Sequence, residues 1–224
     1  ADQAGFSELR AAAETEPGPE WELFADLQSR NFLVWRKKHE TGLFQYLAKG
    51  EFSDLSAEEL FAITWDLEYR RVWDPYLEEL VIVERREEED VVKWQVKFPW
   101  PLTNRDYVYS RRAQCLDERG TVALTSKAVE HSDHPEIKGV TRVFEFWSNL
   151  MMEPQTKPEE KGVKVTLLYF DDPRGNIPKK ILNWAAATVM PKMLDTLRET
   201  ALRRSADDRP PAPYPSFVMV KSAA

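Results

Sequence analysis

The feature that most constrains this fold is a long succession of short extended segments without a helix after each one. Aromatic and β-branched residues predict such segments at 21–25, 31–36, 43–50, 80–85, 91–98, 105–115, 121–129, 140–152 and 163–170. Helical patterns accompany them only at 6–13, from a cap at Asp54 or Ser56 to the break at Pro75, and at 178–204. Runs of strands without alternating helices predict an antiparallel sheet with helices packed on it, an α+β fold.

Composition and charge exclude several classes of protein. The apolar fraction of 42% supports a large core, and the net charge of −7 argues against a nucleic-acid partner, whose phosphates would be repelled. No run of about 18 apolar residues is present, so no membrane span is predicted. The glycines form neither of the common phosphate-binding loops, and we expect no cofactor.

The sequence offers little catalytic chemistry. No G-x-S-x-G motif is present for an acyl-transfer serine. The single cysteine, Cys115, ends a predicted strand and is expected to be a buried free thiol. The stretch from His131 to His134 carries metal-type side chains, but its place before Pro135 favours a polar turn, so no metal site is predicted.

An arginine and a carboxylate lie four residues apart in the second helical segment. Arg70 and Asp74 therefore share one helix face, with Trp65, Tyr69 and Trp73 as aromatic neighbours. One interpretation is a surface ion pair of little energetic weight. The other is a partly buried arginine, oriented by its carboxylate, that binds a phosphate group.

Aromatic residues are dense in the two strands that follow. Trp94 and Val96 share a strand face with Phe98, and Tyr107 and Tyr109 share a face of the next strand. They are suited either to an ordinary core or to a cage for a quaternary ammonium group, which aromatic faces attract. A phosphate-binding arginine beside such a cage would recognise a zwitterionic headgroup.

Four strings resemble the START (StAR-related lipid transfer) family: YRRVWD at 69–74, WQVKFPWP at 94–101, NRDYVY at 104–109 and NWA at 183–185. The likeness extends from about residue 21 to residue 204 and is greatest to the phosphatidylcholine transfer subgroup. AVEH at 128–131, together with Glu136, is similar to the mitochondrial branch of that subgroup. The resemblance implies a helix-grip START fold, in which a curved antiparallel sheet surrounds a lipid tunnel closed by a long C-terminal helix.

The resemblance also implies a set of lipid-binding residues, namely Arg70, Asp74, Trp94, Val96, Tyr107, Tyr109, Phe146 and Trp184. Within it, Arg70 with Asp74 is expected to bind the phosphate, and Trp94, Tyr107 and Phe146 are expected to cage the choline. The sequence departs from the subgroup twice: Phe146 replaces a frequent tyrosine, and Thr64 stands where another tyrosine is expected.

From this resemblance we expect a protein that is not an enzyme, binds one phospholipid, with phosphatidylcholine as the first candidate, and transfers it between membranes. One alternative is a START-type carrier of a sterol, carotenoid or ceramide. A less favoured one is a helix-grip cyclase or hydrolase that uses Asp74 or Glu68 as acid or base. We expect a cytoplasmic monomer, with mitochondrial association implied by the likeness to the mitochondrial branch.

The domain organisation is expected to have three parts. Residues 1–20 form an N-terminal helix and linker, 21–205 the START lipid-binding domain, and 206–224 a Pro-rich linker with a short apolar tail. The closing helix at 178–204 contains Pro191, which predicts a kink and marks it as the gate. Six basic residues in this helix, against Asp195 and Glu199, indicate either transient contact with a membrane surface or an ordinary solvated face opposite a packed one.

Overall fold

The computed structural model describes residues 3–175, 177–178, 180–181 and 185–206. Within these residues ten strands form one sheet: β1 Glu22–Leu27, β2 Phe32–Lys38, β3 Phe44–Ser56, β4 Leu77–Arg85, β5 Asp90–Val96, β6 Arg105–Cys115, β7 Val122–Ala128, β8 Thr141–Val143, β9 Phe146–Pro154 and β10 Lys161–Asp171. The strand order is β1-β2-β3-β10-β9-β7-β6-β5-β4, and β8 pairs with β6. The predicted α+β antiparallel architecture is confirmed.

One strand prediction is wrong. Residues 140–152 were expected to form a single strand, but the structure has two, β8 and β9. β8 runs parallel to β6, whereas β9 lies antiparallel between β7 and β10. The chain must therefore turn at Phe144 and Glu145 to move from one partner to the other, and the side-chain pattern does not reveal this turn.

The described helices are α1 Gln3–Glu14, α2 Ala57–Trp65, α3 Leu67–Trp73 and α4 Met190–Ala206. Ser56 caps α2 as predicted, because its hydroxyl accepts from the Glu59 N–H at 3.1 Å while the Glu59 carboxylate accepts from the Ser56 N–H at 2.8 Å. The prediction of one continuous helix to Pro75 is wrong. Asp66 interrupts it in an extended conformation, and its carboxylate caps α3 by accepting from the Tyr69 N–H at 2.9 Å.

Within the segment predicted as one helix at 178–204, the described residues 185–206 are helical throughout but change helix type. A π-helical turn at Ala185–Val189 leads directly into α4, whose second residue is Pro191. Proline has no N–H to donate to a carbonyl of the preceding turn, and the change of helix type falls directly before it. The kink at Pro191 stays a prediction, and Trp184 lies outside the described residues.

Helices cover both faces of the sheet. On one face α4 packs with α2 over a core that includes Leu55, Phe61 and Val165. On the other, Leu9 of α1 is fully buried beside Leu168 and its neighbours. Alternate residues of each strand therefore serve two cores.

Candidate functional site

A cavity of about 580 Å³ lies between the α4-covered face of the sheet and α2, α3 and α4. This volume is typical of a small-molecule site. Most of its wall is apolar, with contributions from several strands, the helices and the π-helical turn: Leu27, Phe32, Val34, Ala48, Phe52, Leu60, Leu67, Leu124, Leu150, Val165, Leu167, Val189, Met190, Met193, Leu194 and Leu197. The polar groups are few, so the cavity suits a ligand that is largely hydrocarbon.

Arg70 projects into this cavity from α3 and is oriented by Asp74. Its Nε donates to Asp74 Oδ2 at 3.0 Å, and Asp74 Oδ1 accepts from the Tyr76 N–H at 3.0 Å. The guanidinium carbon lies 4.7 Å from the Trp94 ring centre and 5.8 Å from that of Trp73. Among the described residues, no acceptor is hydrogen-bonded to the two terminal amino groups of Arg70, which can therefore bind two oxygens of an anion.

The predicted aromatic residues gather beside Arg70. Trp94 and Tyr107 stack with ring centres 4.9 Å apart, and Phe146 lies 5.2 Å from Tyr107 and 5.5 Å from Tyr109. Trp94, Tyr109 and Phe146 line the cavity. Tyr107 is buried in the core cluster behind this wall, where Val96 also packs.

Asp171, the last residue of β10, supports this aromatic group. Tyr107 Oη donates to Asp171 Oδ2 at 3.0 Å, and Asp171 pairs in register with Phe146. Burial raises the pKa of Asp171 to about 6, although hydrogen bonds from Tyr107 and Tyr169 favour its ionised form. The pKa of Tyr107 is raised well above its ordinary value, mainly by burial.

Thr64, which stands where the resemblance leads us to expect a tyrosine, uses its hydroxyl within its own helix. Thr64 lines the cavity from α2, but its hydroxyl donates to the carbonyl oxygens of Leu60 and Phe61 at 2.9 and 3.0 Å. This back-bonding within the helix is common for threonine and occupies the only hydrogen of the group. Thr64 is therefore no substitute for a tyrosine hydroxyl as a donor to a ligand.

Two other sequence candidates are placed away from the cavity wall. Cys115 is buried, as predicted, and its thiol donates to the Asp117 carbonyl at 3.3 Å; burial raises its pKa. The rings of His131 and His134 lie 5.2 Å apart, and in the described part of the chain no three His, Cys, Asp or Glu side chains are grouped to hold a metal ion. No described helix is both long and apolar enough to cross a bilayer.

Comparison with known proteins identifies relatives over most of the chain. The START domain model matches residues 8–206. Mouse phosphatidylcholine transfer protein is 35% identical over 191 residues, 84% of this chain and 86% of the relative, and the bovine protein is 38% identical over 180 residues, 79% and 82%. Mouse StAR-related lipid transfer protein 7, mitochondrial, is 32% identical over 82% of this chain, which spans about half (49%) of that relative.

Solved structures show the same fold. Human STARD10 has a TM-score of 0.78 at 24% identity, covering 92% of this chain and 82% of that one. Human StAR-related lipid transfer protein 5 has a TM-score of 0.72 at 16% identity, covering 92% and 100%. The expected curved antiparallel sheet with a C-terminal helix over its cavity is thus confirmed. From its sequence matches and its architecture alike, this chain belongs to the START domain family.

Proposed function

We propose that this chain binds one phospholipid, with phosphatidylcholine as the first candidate, and transfers it between membranes without chemical conversion. The observation that carries the proposal is Arg70, which lines a mostly apolar cavity next to an aromatic group and whose terminal amino groups bond to no described residue. The names of relatives at 35–38% identity support phosphatidylcholine as the ligand. A sterol or carotenoid brings no anion for the two terminal amino groups of Arg70, which the pair with Asp74 leaves unbonded among the described residues.

In this proposal Arg70 binds the phosphate and Asp74 fixes the guanidinium plane. A guanidinium can donate two parallel hydrogen bonds to a phosphate, and its Nε remains on Asp74. The quaternary ammonium of choline contacts the aromatic faces of Phe146 and Tyr109 beside Trp94. Tyr107 holds Trp94 and Phe146 in place from behind.

The acyl chains occupy the apolar part of the cavity, which at about 580 Å³ in total has to widen when two full-length chains enter. A diacyl lipid contains about 30 methylenes, and at about 0.8 kcal/mol each their removal from water is worth on the order of 25 kcal/mol. A carrier must therefore enclose the chains and open only at a membrane. We assign the opening to α4, with Pro191 at its movable end and the exposed Lys192 available for transient membrane contact. The proposed carrier acts as a monomer in the cytoplasm, and the name of the mitochondrial relative supports an association with mitochondria.

The test is the replacement Arg70→Lys. An ammonium group carries the same charge but cannot reproduce the planar two-point contact, so we expect phosphatidylcholine transfer to fall roughly tenfold with the fold intact. The measurement is dequenching of a fluorescent phosphatidylcholine on transfer between vesicles, after circular dichroism has verified folding. Arg71→Lys is the matched control, because Arg71 is the next residue of α3 and is not part of the cavity wall.

Two results would overturn the assignment. Transfer at the parental rate by Arg70→Lys would remove the phosphate role from Arg70. Native mass spectrometry of the purified protein identifies the lipid that it retains. A sterol, carotenoid or ceramide in place of a phospholipid would establish the alternative carrier.

A further inference from the structure

The cavity floor carries a row of polar side chains that have no role in the function proposed above. In register across five neighbouring strands, Arg111 of β6 pairs with Ser126 of β7, Ser126 with Ser148 of β9, Ser148 with Tyr169 of β10, and Tyr169 with Tyr46 of β3. All five line the cavity. Paired residues of adjacent strands point to the same side of a sheet, so the five form one continuous polar row.

This polar row lies between two rows of different chemistry. Two residues along the strands in one direction are the aromatic side chains Tyr109 and Phe146. An apolar row lies two residues from the polar row in the other direction. In it, Leu150 pairs in register with Leu124 and with Leu167. Successive rows are about 7 Å apart, because each residue of a strand advances the chain by about 3.3 Å.

The two serine hydroxyl groups in the polar row are free to donate. Ser126 and Ser148 lie directly opposite each other, and neither side chain is hydrogen-bonded to any residue that the structure describes. Beside them the buried Nε of Arg111 also lacks an acceptor in the described part of the chain, whereas its amino groups donate to Asp90 and to the Trp65 carbonyl. Unpaired donors in an apolar cavity are unfavourable, so this row is suited to a ligand that brings acceptors.

We propose that Ser126 and Ser148 donate hydrogen bonds to the ester carbonyl oxygens of a diacyl lipid. The cavity thereby distinguishes lipids whose chains are joined to glycerol by ester bonds from those joined by ether bonds. The inference rests on the proposed phospholipid function. Along β9 the order Phe146, Ser148, Leu150 matches the order headgroup, glycerol ester, hydrocarbon in such a lipid. An ether-linked lipid lacks the carbonyl oxygens and offers the two hydroxyls only its ether oxygens, which lie at a different position along the chain.

The experiment compares two phosphatidylcholines with the same headgroup and chain length, one with two ester links and one with two ether links. Both compete with a fluorescent phosphatidylcholine for the purified protein. The parent protein is expected to prefer the diester lipid roughly tenfold, which corresponds to two hydrogen bonds of ordinary net strength. Ser126→Ala with Ser148→Ala should bring the two lipids to within about twofold of each other.

Ser110→Ala is the matched control. Ser110 lies on β6 next to Arg111, and alternation along the strand places it on the opposite face of the sheet. This variant should keep the parental preference. If the double variant does not fold, the single variants Ser126→Ala and Ser148→Ala provide the same measurement, and each should lose part of the preference.

The outcomes separate this inference from the function on which it rests. The parent protein could bind both lipids with equal affinity, or the serine variants could keep the parental preference. Either result overturns the proposed hydrogen bonds to the ester carbonyl oxygens and does not affect the proposal of phospholipid transfer. Failure of both lipids to displace the fluorescent probe, or failure of the probe itself to bind, rejects the proposed function as well.

Discussion

Asp171 is a carboxylic acid placed among tyrosine hydroxyls at the end of β10. Its pKa is raised from the ordinary 3.8 to about 6 because burial disfavours the charged form. The folded protein therefore binds the proton more tightly than the unfolded chain does. The stability contributed by this group is fully present below about pH 4 and is lost as the pH rises through 6.

We expect Asp171→Asn to stabilise the protein at pH 7.5 and to change its stability little at pH 4. The amide keeps an acceptor for Tyr107 and carries no charge to bury. A pKa difference of this size corresponds to roughly 2–3 kcal/mol at neutral pH. The measurement is urea unfolding at both pH values, with Glu118→Gln at an exposed position as a control for the loss of one negative charge. An equal effect of Asp171→Asn on the free energy of unfolding at both pH values would contradict the explanation that the buried charge of Asp171 destabilises the protein at neutral pH.

The site residues differ in how far the sequence predicts them. Arg70, Trp94 and Phe146 stand in or near recognisable strings, and the structure brings them together around one end of the cavity. Ser126 and Ser148 were not singled out, because their common row depends on cross-strand register, which no local pattern specifies. Their alternation with the aromatic residues along β6 and β9 is the signal that would have pointed to them.

At the scale of elements, three ion pairs among the described residues attach α4 to the rest of the molecule. Asp195 binds Arg30 through two contacts of 2.7 Å, Arg198 binds Asp54, and Arg204 binds Asp66 at 2.8 Å. Arg204 and the neighbouring Ala201 are almost fully buried, whereas residues near the start of the helix are more exposed. The C-terminal end of α4 is thus the anchored end. Amphipathic spacing predicted the helix, but its partners come from distant segments.

Asp195→Asn should weaken the attachment near the movable end of α4. The pair with Arg30 is partly exposed, and such pairs contribute about 0.2–1 kcal/mol, so we expect transfer to accelerate about two- to fivefold at low salt. The gain should disappear at high salt, where the parental pair is screened as well. Vesicle transfer assays over a salt series provide the measurement. Glu199→Gln makes the same charge change within α4 and should not accelerate transfer, since Glu199 pairs only with Arg203 of its own helix among the described residues.

At the scale of the whole molecule, the sheet is shared between the cavity and a second core under α1. Leu9 is inaccessible to solvent and packs with Leu47, Met151 and Leu168 on the face away from the cavity. Lys49 also donates to the carbonyl oxygens of Ala13 and Thr15 at the end of α1. The sequence pattern predicts a helix at 6–13 but does not indicate that this helix packs on the sheet. The domain boundary at residue 20 stays a prediction.

Leu9→Ala tests whether α1 folds with the sheet as one unit. A fully buried leucine replaced by alanine costs about 2–5 kcal/mol, so the midpoint of urea unfolding should fall in a single transition. Glu8→Ala, at an exposed neighbouring position, should have little effect. A separate early transition, or no loss of stability, would mean that residues 1–20 are an independent segment.

The helix that covers the cavity places two methionines, Met190 and Met193, on its wall. Methionine is unbranched and polarisable, and its several rotatable bonds let it fill gaps of different shape at little cost. The methionine side chains in this wall can therefore change rotamer to fit acyl chains of different shape. Selectivity in this protein should therefore be strict at the aromatic and hydroxyl end of the cavity and lenient towards chain length and unsaturation, so that one carrier serves a mixed pool of lipid species.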